Sequence, residues 1–251
     1  MRSVWQAVTF LFIVVFISLI YKLPAKFLYQ QFASNSPVHL SGISGSIWAG
    51  HVKQIEIQQL VLKNLDWQLS PFALLLARAD VQWRLNDEAA PLSGEVVVSS
   101  SRLMINNLQG YIDLLAIAQR LPRQDIIAGG TVKLKNVELE IEQEKIMHAA
   151  GRIHWQQAEL LSPEHIELGG FNADLNQKDG DLLIQLMDTG GAVSLLGDIQ
   201  FSLDGKFEYV MKVAVRDTSA TGLLDAFNQL GQTDENGKVT LQDRGSVFKY
   251  N

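Results

Sequence analysis

Residues 199–215 read IQFSLDGKFEYVMKVAV, the clearest alternation of apolar and polar residues in the chain. A period of two places side chains on one face of a β-strand. Asp-Gly between two alternating runs is a strong local signal for a β-hairpin. The stretch therefore predicts two paired strands with one apolar face and one polar face. Its apolar positions are Ile199, Phe201, Leu203, Phe207, Tyr209, Met211, Val213 and Val215.

The same alternation extends over most of the chain. Residues 131–142 alternate, and residues 51–69 alternate with two register shifts that predict bulges or turns. Asp179-Gly180 and Asn236-Gly237 also lie between strand-like runs. Glycine followed by an apolar residue two positions later opens several of these runs, at irregular spacings that exclude a strict solenoid. We therefore predict a mainly β protein, a long antiparallel meander in an open, curved or groove-like sheet.

A few short helices interrupt the predicted sheet. Ser70-Pro71 supplies an N-cap and a favoured first-turn proline for a helix at residues 72–77. Asn106-Asn107 predicts a turn, and residues 111–121 predict a helix that Pro122 ends. Residues 221–230 predict another helix, closed by Gly231.

Near the amino terminus, residues 4–23 read VWQAVTFLFIVVFISLIYKL, with no charge before Lys22. A helix of this length spans roughly 30 Å of hydrocarbon. Trp5 and Tyr21 lie at its ends, where amphipathic rings favour the headgroup boundary. The alternative is a cleaved secretory signal, but the run is longer than an ordinary signal core and no small-x-small site follows closely. We expect one transmembrane anchor at residues 1–23, a juxtamembrane linker at 24–38 and a β-rich domain at 39–251.

Composition limits the classes of partner and the interactions that can stabilise the domain. The chain has 251 residues, no cysteine and a formal charge of −6. Three of its 21 basic residues, Arg2, Lys22 and Lys26, flank the apolar segment, which leaves 18 basic against 27 acidic residues in the body. An acidic body argues against nucleic acid as a partner. Without disulfides, packing must stabilise the domain.

No motif indicates catalysis, a cofactor or a metal. The five histidines form no His-Glu-x-x-His pair, and residues 172–179 lack the glycine that a calcium loop needs. There is no nucleophile elbow and no phosphate-binding glycine loop. Paired carboxylates such as Asp87-Glu88 are best interpreted as solvated turns. We expect a protein that is not an enzyme and holds no cofactor and no metal.

Tryptophans and glycines mark the most distinctive part of the sequence. Most tryptophans in such a sheet pack in a core, and the alternative is an apolar groove exposed to a guest. Several short motifs carry a family resemblance, together with the anchor. They are GSIWAG at residues 45–50, WQLSPFALLLA at 67–77, VQW at 81–83, LG at 230–231, NGKVTL at 236–241 and RG at 244–245. The candidate family-motif or groove residues are Gly45, Trp48, Gly50, Trp67, Pro71 and Trp83.

With these motifs the chain resembles protein N of the type II (general) secretion pathway, and more distantly the larger AsmA-like β-groove lipid-transport proteins. The resemblance implies a non-catalytic accessory subunit of the machine that exports folded proteins across the outer membrane. It implies a single-pass anchor in the inner membrane of a Gram-negative cell, with the β-rich domain in the periplasm. The implied partners are other inner-membrane secretion components, the outer-membrane secretin and lipid around the anchor.

Two features leave alternatives open. The positive charges on the two sides of the apolar segment are nearly balanced. Taken alone, they slightly favour a cytoplasmic location for the β-rich domain, but long domains translocate largely regardless of charge. The one-sided alternation also suits a lipid-binding or lipid-transport groove. A closed core and an open groove differ in the area of contiguous apolar surface that they expose.

Overall fold

The computed structural model describes residues 23–32, 37–122, 126–143, 145–162, 165–178, 180–202, 205–216, 234 and 237–246. The predicted anchor, apart from Leu23, and the predicted helix at 221–230 lie outside these residues, as do Asp179, Asp204 and Asn236 of the predicted turns. Within the described ranges no helix is long and apolar enough to cross a membrane.

The described chain is dominated by strands. Its helices are α1 (Ala25–Phe32), α2 (Pro71–Leu75) and α3 (Leu114–Ala118). The strands are β1 (Val38–Ser41), β2 (Ser44–Gly45), β3 (Ala49–Ile57), β4 (Leu60–Leu69), β5 (Ala79–Asn86), β6 (Pro91–Val98), β7 (Arg102–Asp113), β8 (Ile127–Glu142), β9 (Lys145–Ser162), β10 (Ile166–Lys178), β11 (Asp181–Asp188), β12 (Val193–Phe201), β13 (Lys206–Val215) and β14 (Lys238–Ser246).

All fourteen described strands belong to one antiparallel sheet. The order is β1-β3-β4 and then straight through to β14, with β2 paired beside β3. From β4 to β13, each strand therefore pairs only with the strands before and after it in the chain. The prediction of a long open meander with a few short helices is confirmed.

The hairpin at residues 199–215 forms as its alternation predicts. Phe201 pairs with Phe207 and Ile199 with Tyr209. Val213, on the same face, is buried, whereas Val210 on the other face is exposed. The Phe207 ring lies 6.1 Å from that of Phe201 and 6.5 Å from that of Tyr209, which extends an aromatic row along the apolar face.

Some breaks in the alternation fall at asparagines in the left-handed backbone region. Asn64 has φ of 60° and Asn136 has φ of 48°. Asparagine tolerates this region better than most residues. The Lys53–Asn64 pair is missing from the ladder between β3 and β4, although the register is the same on both sides of it. Val52 and Ile55 are both buried although they are three positions apart. The turn at Gln58-Gln59 accounts for the other predicted shift.

The structure corrects the expectation for residues 106–121. Asn106-Asn107 is not a turn, because β7 continues through it with a bulge and Asn107 has φ of 50°. β6 and β8 flank both halves of this strand, so backbone pairing continues past the asparagines. The helix begins only at Leu114, since residues up to Asp113 remain in β7. The Asp113 carboxylate caps α3 by accepting a hydrogen bond from the Ala116 N–H at 2.9 Å.

The helix predicted after Ser70-Pro71 is present as α2, two residues shorter at its C-terminal end than expected. Ser70 has the extended backbone of an N-cap, but its side chain makes no capping hydrogen bond. Pro71 is the first helical residue, where its missing N–H leaves no donor unsatisfied.

The apolar face holds two clusters of buried side chains. In the first half, Val52, Ile55, Leu85 and Ala90 form the centre, and Ile117 of α3 packs against it. Val193 and Val213 form the centre of the second. At the first edge, α1 buries Ala25, and the Tyr29 hydroxyl accepts a hydrogen bond from the Leu40 N–H at 2.8 Å.

A buried ion pair fixes α3 to the end of the first hairpins. Asp87 is 2% exposed, so the expectation of a solvated carboxylate is wrong for this residue. Both its carboxylate oxygens lie within 2.9 Å of Arg120 Nη1, and the backbone N–H groups of Lys63 and Ala89 donate to them at 2.8 Å. Burial alone would raise the pKa of Asp87. The hydrogen bonds from Arg120, Ala89 and Lys63 outweigh burial, so this pKa lies below its ordinary value.

We expect Arg120→Ala to lower the free energy of unfolding by about 3–5 kcal/mol at neutral pH, because it leaves a buried carboxylate without its cation. The folded-state pKa of Asp87 is lowered, so its contribution is present above the unfolded-state value and is lost as pH falls through the folded-state value. Arg120→Ala should therefore also weaken the acid dependence of stability. Urea unfolding of the full chain in detergent, followed by tryptophan fluorescence across pH, measures both effects.

Arg102→Ala is the matched control. Arg102 is 45% exposed and bridges Glu140 and Glu142 at 3.0 and 3.3 Å. Exposed pairs contribute at most about 1 kcal/mol. Equal losses in the two variants would contradict a special role for the buried pair.

Candidate functional site

Four of the six candidate residues lie in one row across the first hairpins. Gly45 pairs with Gly50, Gly50 with Trp67, and Trp67 with Trp83. Trp83 in turn pairs with Gly94, which extends the row onto β6. Two adjacent tryptophans are thus flanked by glycine on both sides.

The glycines provide the space in which the indole rings lie. A Cβ on Gly50 would come within 2.2 Å of the Trp67 ring, and one on Gly94 within 3.4 Å of the Trp83 ring. Gly45 has φ of +86°, and a Cβ there would lie 2.5 Å from the Ala49 carbonyl oxygen. The Trp67 indole N–H donates to the Ile47 carbonyl at 3.2 Å, which fixes the ring in place.

Both tryptophans contribute to an apolar groove between α1 and the sheet, which we call the tryptophan groove. Its volume is about 570 Å³, within the range of about 300–1,000 Å³ that is usual for small-molecule sites. Almost the whole lining is apolar, and Tyr29 has its hydroxyl engaged with the backbone of β1. The lining residues are Ala25, Tyr29, Leu40, Ile43, Val52, Leu65, Trp67, Val81, Trp83 and Val96.

The other two candidates lie at one end of the sheet, outside the groove. The Trp48 carbonyl accepts a hydrogen bond from the Leu69 N–H at 2.7 Å. Pro71 follows two residues later as the first residue of α2. The motifs of the sequence therefore split into a row under the groove and a cluster at the end of β4.

A row of Ser44, His51 and Asp66 crosses β2, β3 and β4, and local sequence reasoning did not bring these residues together. The His51 Nδ1 atom lies 2.8 Å from a carboxylate oxygen of Asp66. A catalytic triad also needs the serine hydroxyl at the second ring nitrogen. Ser44 Oγ instead donates to the backbone carbonyl of His51 at 3.5 Å. The row therefore lacks the nucleophile–base contact of a serine hydrolase.

Three of the other described histidines make separate contacts. His148 lies 3.0 Å from Gln177, and His165 lies 2.9 Å from Glu159. His154 contacts the side-chain oxygen of Asn172. Within the part of the chain that the structure describes, no group of three or more His, Asp or Glu side chains could hold a metal ion.

A second carboxylate in the other half resembles Asp87 in its partners. Asp188 lies 2.7 Å from Arg216 Nη1 and accepts from the backbone N–H groups of Leu195 and Gly190. Burial would raise its pKa, but these hydrogen bonds lower it. Both carboxylates fix the ends of strands and point to structure rather than to acid–base chemistry.

The fold and the site define a one-sheet β protein with an apolar groove on one face. The chain belongs to the type II secretion system protein N family, whose model matches residues 36–242. This range contains the described strands from β1 through β13 and most of β14.

Two relatives carry the same description. Type II secretion system protein N of Aeromonas hydrophila is 26% identical over 249 residues, which cover 94% of this chain and 96% of the relative. The protein of that name from Vibrio cholerae serotype O1 is 22% identical over 236 residues, which cover 92% and 93%. No solved structure matches the chain.

We expect Gly50→Ala to lower the free energy of unfolding by about 1–3 kcal/mol, because the added methyl group overpacks the Trp67 ring. Gly94→Ala is the matched control, since its nearest neighbours lie at 3.3–3.4 Å, and should cost less. Urea unfolding of the full chain measures both values.

Adding Trp67→Leu to Gly50→Ala tests the cause. The double variant should lose less stability than the sum of the single variants, because the smaller side chain relieves the contact. Additive losses would show that the Trp67 ring is not what requires glycine at position 50.

Proposed function

We propose that this protein is a non-catalytic accessory subunit of the type II secretion system, anchored in the inner membrane of a Gram-negative cell with its sheet in the periplasm. The observation that carries the proposal is the family match over residues 36–242, nearly the whole sheet. The apolar, uncharged run at residues 4–21 supports the anchor. Its partners are other secretion components of the inner membrane and the outer-membrane secretin.

The form of the sheet supports a role in assembly. A meander of fourteen described strands presents one long polar face to its surroundings, and β14 is an edge strand of the described sheet, whereas the Tyr29 hydroxyl contacts the backbone of Val38 and Leu40 on β1. Edge strands offer unpaired backbone groups to other chains. These surfaces suit a subunit that acts by binding its neighbours.

We expect deletion of the gene to leave secreted proteins in the periplasm and to weaken assembly of the secretion machine. Complementation with the wild-type chain and with Arg102→Ala should restore release, because Arg102 makes only exposed ion pairs. The measurement is the periplasmic and extracellular amount of one secreted protein, with the secretin multimer quantified in the same cells. Unchanged release together with unchanged assembly would refute the proposed role.

The same strains can report the side of the membrane. The chain has no cysteine, so a single cysteine at the exposed position Lys212 is the only thiol. Lys212→Cys should react with a membrane-impermeant maleimide once the outer membrane is permeabilised. Reaction only after lysis of the inner membrane would place the sheet in the cytoplasm.

A second candidate function rests on the tryptophan groove. A cavity of about 570 Å³ with an almost wholly apolar lining suits an acyl chain of a lipid. The anchor would hold this groove beside the bilayer from which a lipid could enter. Lipid binding is compatible with a role in secretion, since the groove and the polar face are separate surfaces.

If the groove binds lipid, phospholipid should co-purify with the detergent-extracted chain. Val96→Glu should lower the bound amount by at least about tenfold, because a carboxylate in the apolar lining is costly to desolvate. Val210→Glu, at an exposed position on the other face, is the control. Mass spectrometry of the extracts measures the lipid, and equal amounts in all three proteins would exclude the groove as the site.

A further inference from the structure

The connection between β4 and β5 exposes more large apolar side chains than any other short segment that the structure describes. Phe72 is 78% exposed, Leu75 81% and Leu76 70%, and Leu74 is partly exposed. Only Ala73 of α2 is buried. An isolated exposed leucine needs no explanation, but four neighbouring apolar residues on one turn form a patch that indicates a contact.

This patch, residues 72–76, lies at the end of the sheet where the apolar amino-terminal segment stops. The Leu23 carbonyl accepts a hydrogen bond from the Ile47 N–H at 3.1 Å. The next residue, Trp48, accepts from the Leu69 N–H at 2.7 Å, and α2 begins two residues after Leu69. Neighbouring strands lie about 4.8 Å apart, so Leu23 and Leu69 are separated by roughly 10 Å. Pro71, the first residue of α2, lies two residues further along the chain, at most about 7 Å beyond Leu69.

Chain length places this end of the sheet at the bilayer surface. Residues 4–21 are the uncharged run, and Leu23 is only two residues beyond Tyr21. Two residues span at most about 7 Å. If residues 4–21 cross the hydrocarbon, Leu23 and its hydrogen-bonded neighbours lie within the headgroup region, and the patch lies beside them.

The charges around the patch agree with this position. The body is acidic, yet no Asp or Glu occurs between Asp66 and Asp80. The connection carries one charged side chain, Arg78, which pairs with Asp80 at 3.1 Å and remains half exposed. Trp48, a residue type enriched at membrane interfaces, lies at the same end.

We propose that Phe72, Leu74, Leu75 and Leu76 insert into the periplasmic surface of the bilayer beside the anchor, as a second membrane contact. The inference rests on the proposed anchor. Insertion removes the exposed apolar surface from water and fixes the angle between the sheet and the membrane, which a single helix leaves free to rotate. The tryptophan groove, between α1 and the same strands, is then held close to the lipid.

The test uses the full-length chain in phosphatidylcholine vesicles, with single cysteines labelled by an environment-sensitive fluorophore. Leu75→Cys reports the patch, and Val14→Cys reports the anchor. Leu196→Cys is the matched control, since Leu196 is 60% exposed and lies on β12, seven strands from β5. Phosphatidylcholine bearing a nitroxide near the headgroup or near the chain end supplies the quencher.

We expect the label at position 75 to shift its emission to the blue and to be quenched more by the shallow nitroxide than by the deep one. The label at position 196 should show neither effect. Leu76→Asp, added to the Leu75→Cys chain, should abolish the quenching, whereas Leu196→Asp in the same chain should not.

The outcomes separate the insertion from the anchor. Quenching at position 14 without quenching at position 75 would overturn the insertion and leave the anchor intact. Quenching at position 75 alone would refute the anchor and, with it, the insertion as a second contact beside the anchor. A blue shift at position 75 without lipid quenching would overturn the insertion, because the patch would then be covered by protein, either residues 1–22 or a second copy of the chain.

Discussion

Backbone pairing between strands that follow one another in the chain is the constraint on which this structure depends. From β4 to β13 every strand finds its partners immediately before and after it, so the sheet grows without crossovers. Such pairing requires only short connections, and it leaves the sheet as a single layer. A single layer must then cover its apolar face with its own side chains, with α1 and α3, or with something outside the described chain.

The apolar face of the sheet is covered unevenly, and the parts left uncovered include the tryptophan groove. α3 closes the first cluster, held by Arg120 against the buried carboxylate of Asp87. Nearer the first edge, Trp67 and Trp83 lie side by side over a row of glycines and leave a groove under α1. Beyond the end of that groove, α2 turns its leucines outward. The groove and the patch thus share one corner of the sheet, where the apolar amino-terminal segment also ends.

Local patterns predicted the strands well because the side-chain period of a strand is a local property. The hairpin at residues 199–215 forms with the faces that its alternation indicated. The errors have a common cause. The pair Asn106-Asn107 is compatible with a turn and with a bulge. A bulge forms because β7 pairs with its neighbouring strands on both sides of these residues. Residues 111–113 fit the apolar spacing of a helix, but they pair with β8 and remain in the strand.

The fold class, the one-sided character of the sheet and the position of the apolar amino-terminal run could be predicted without a structure, because each follows from the spacing of neighbouring residues. Which residues contact one another could be seen only in the folded chain. Gly50 lies under Trp67, Asp87 pairs with Arg120 33 positions away, and Leu23 pairs with Ile47. These contacts depend on the hydrogen-bond register between strands. The register is set by the lengths of all the turns and bulges along the chain, and the spacing of neighbouring residues does not specify those lengths.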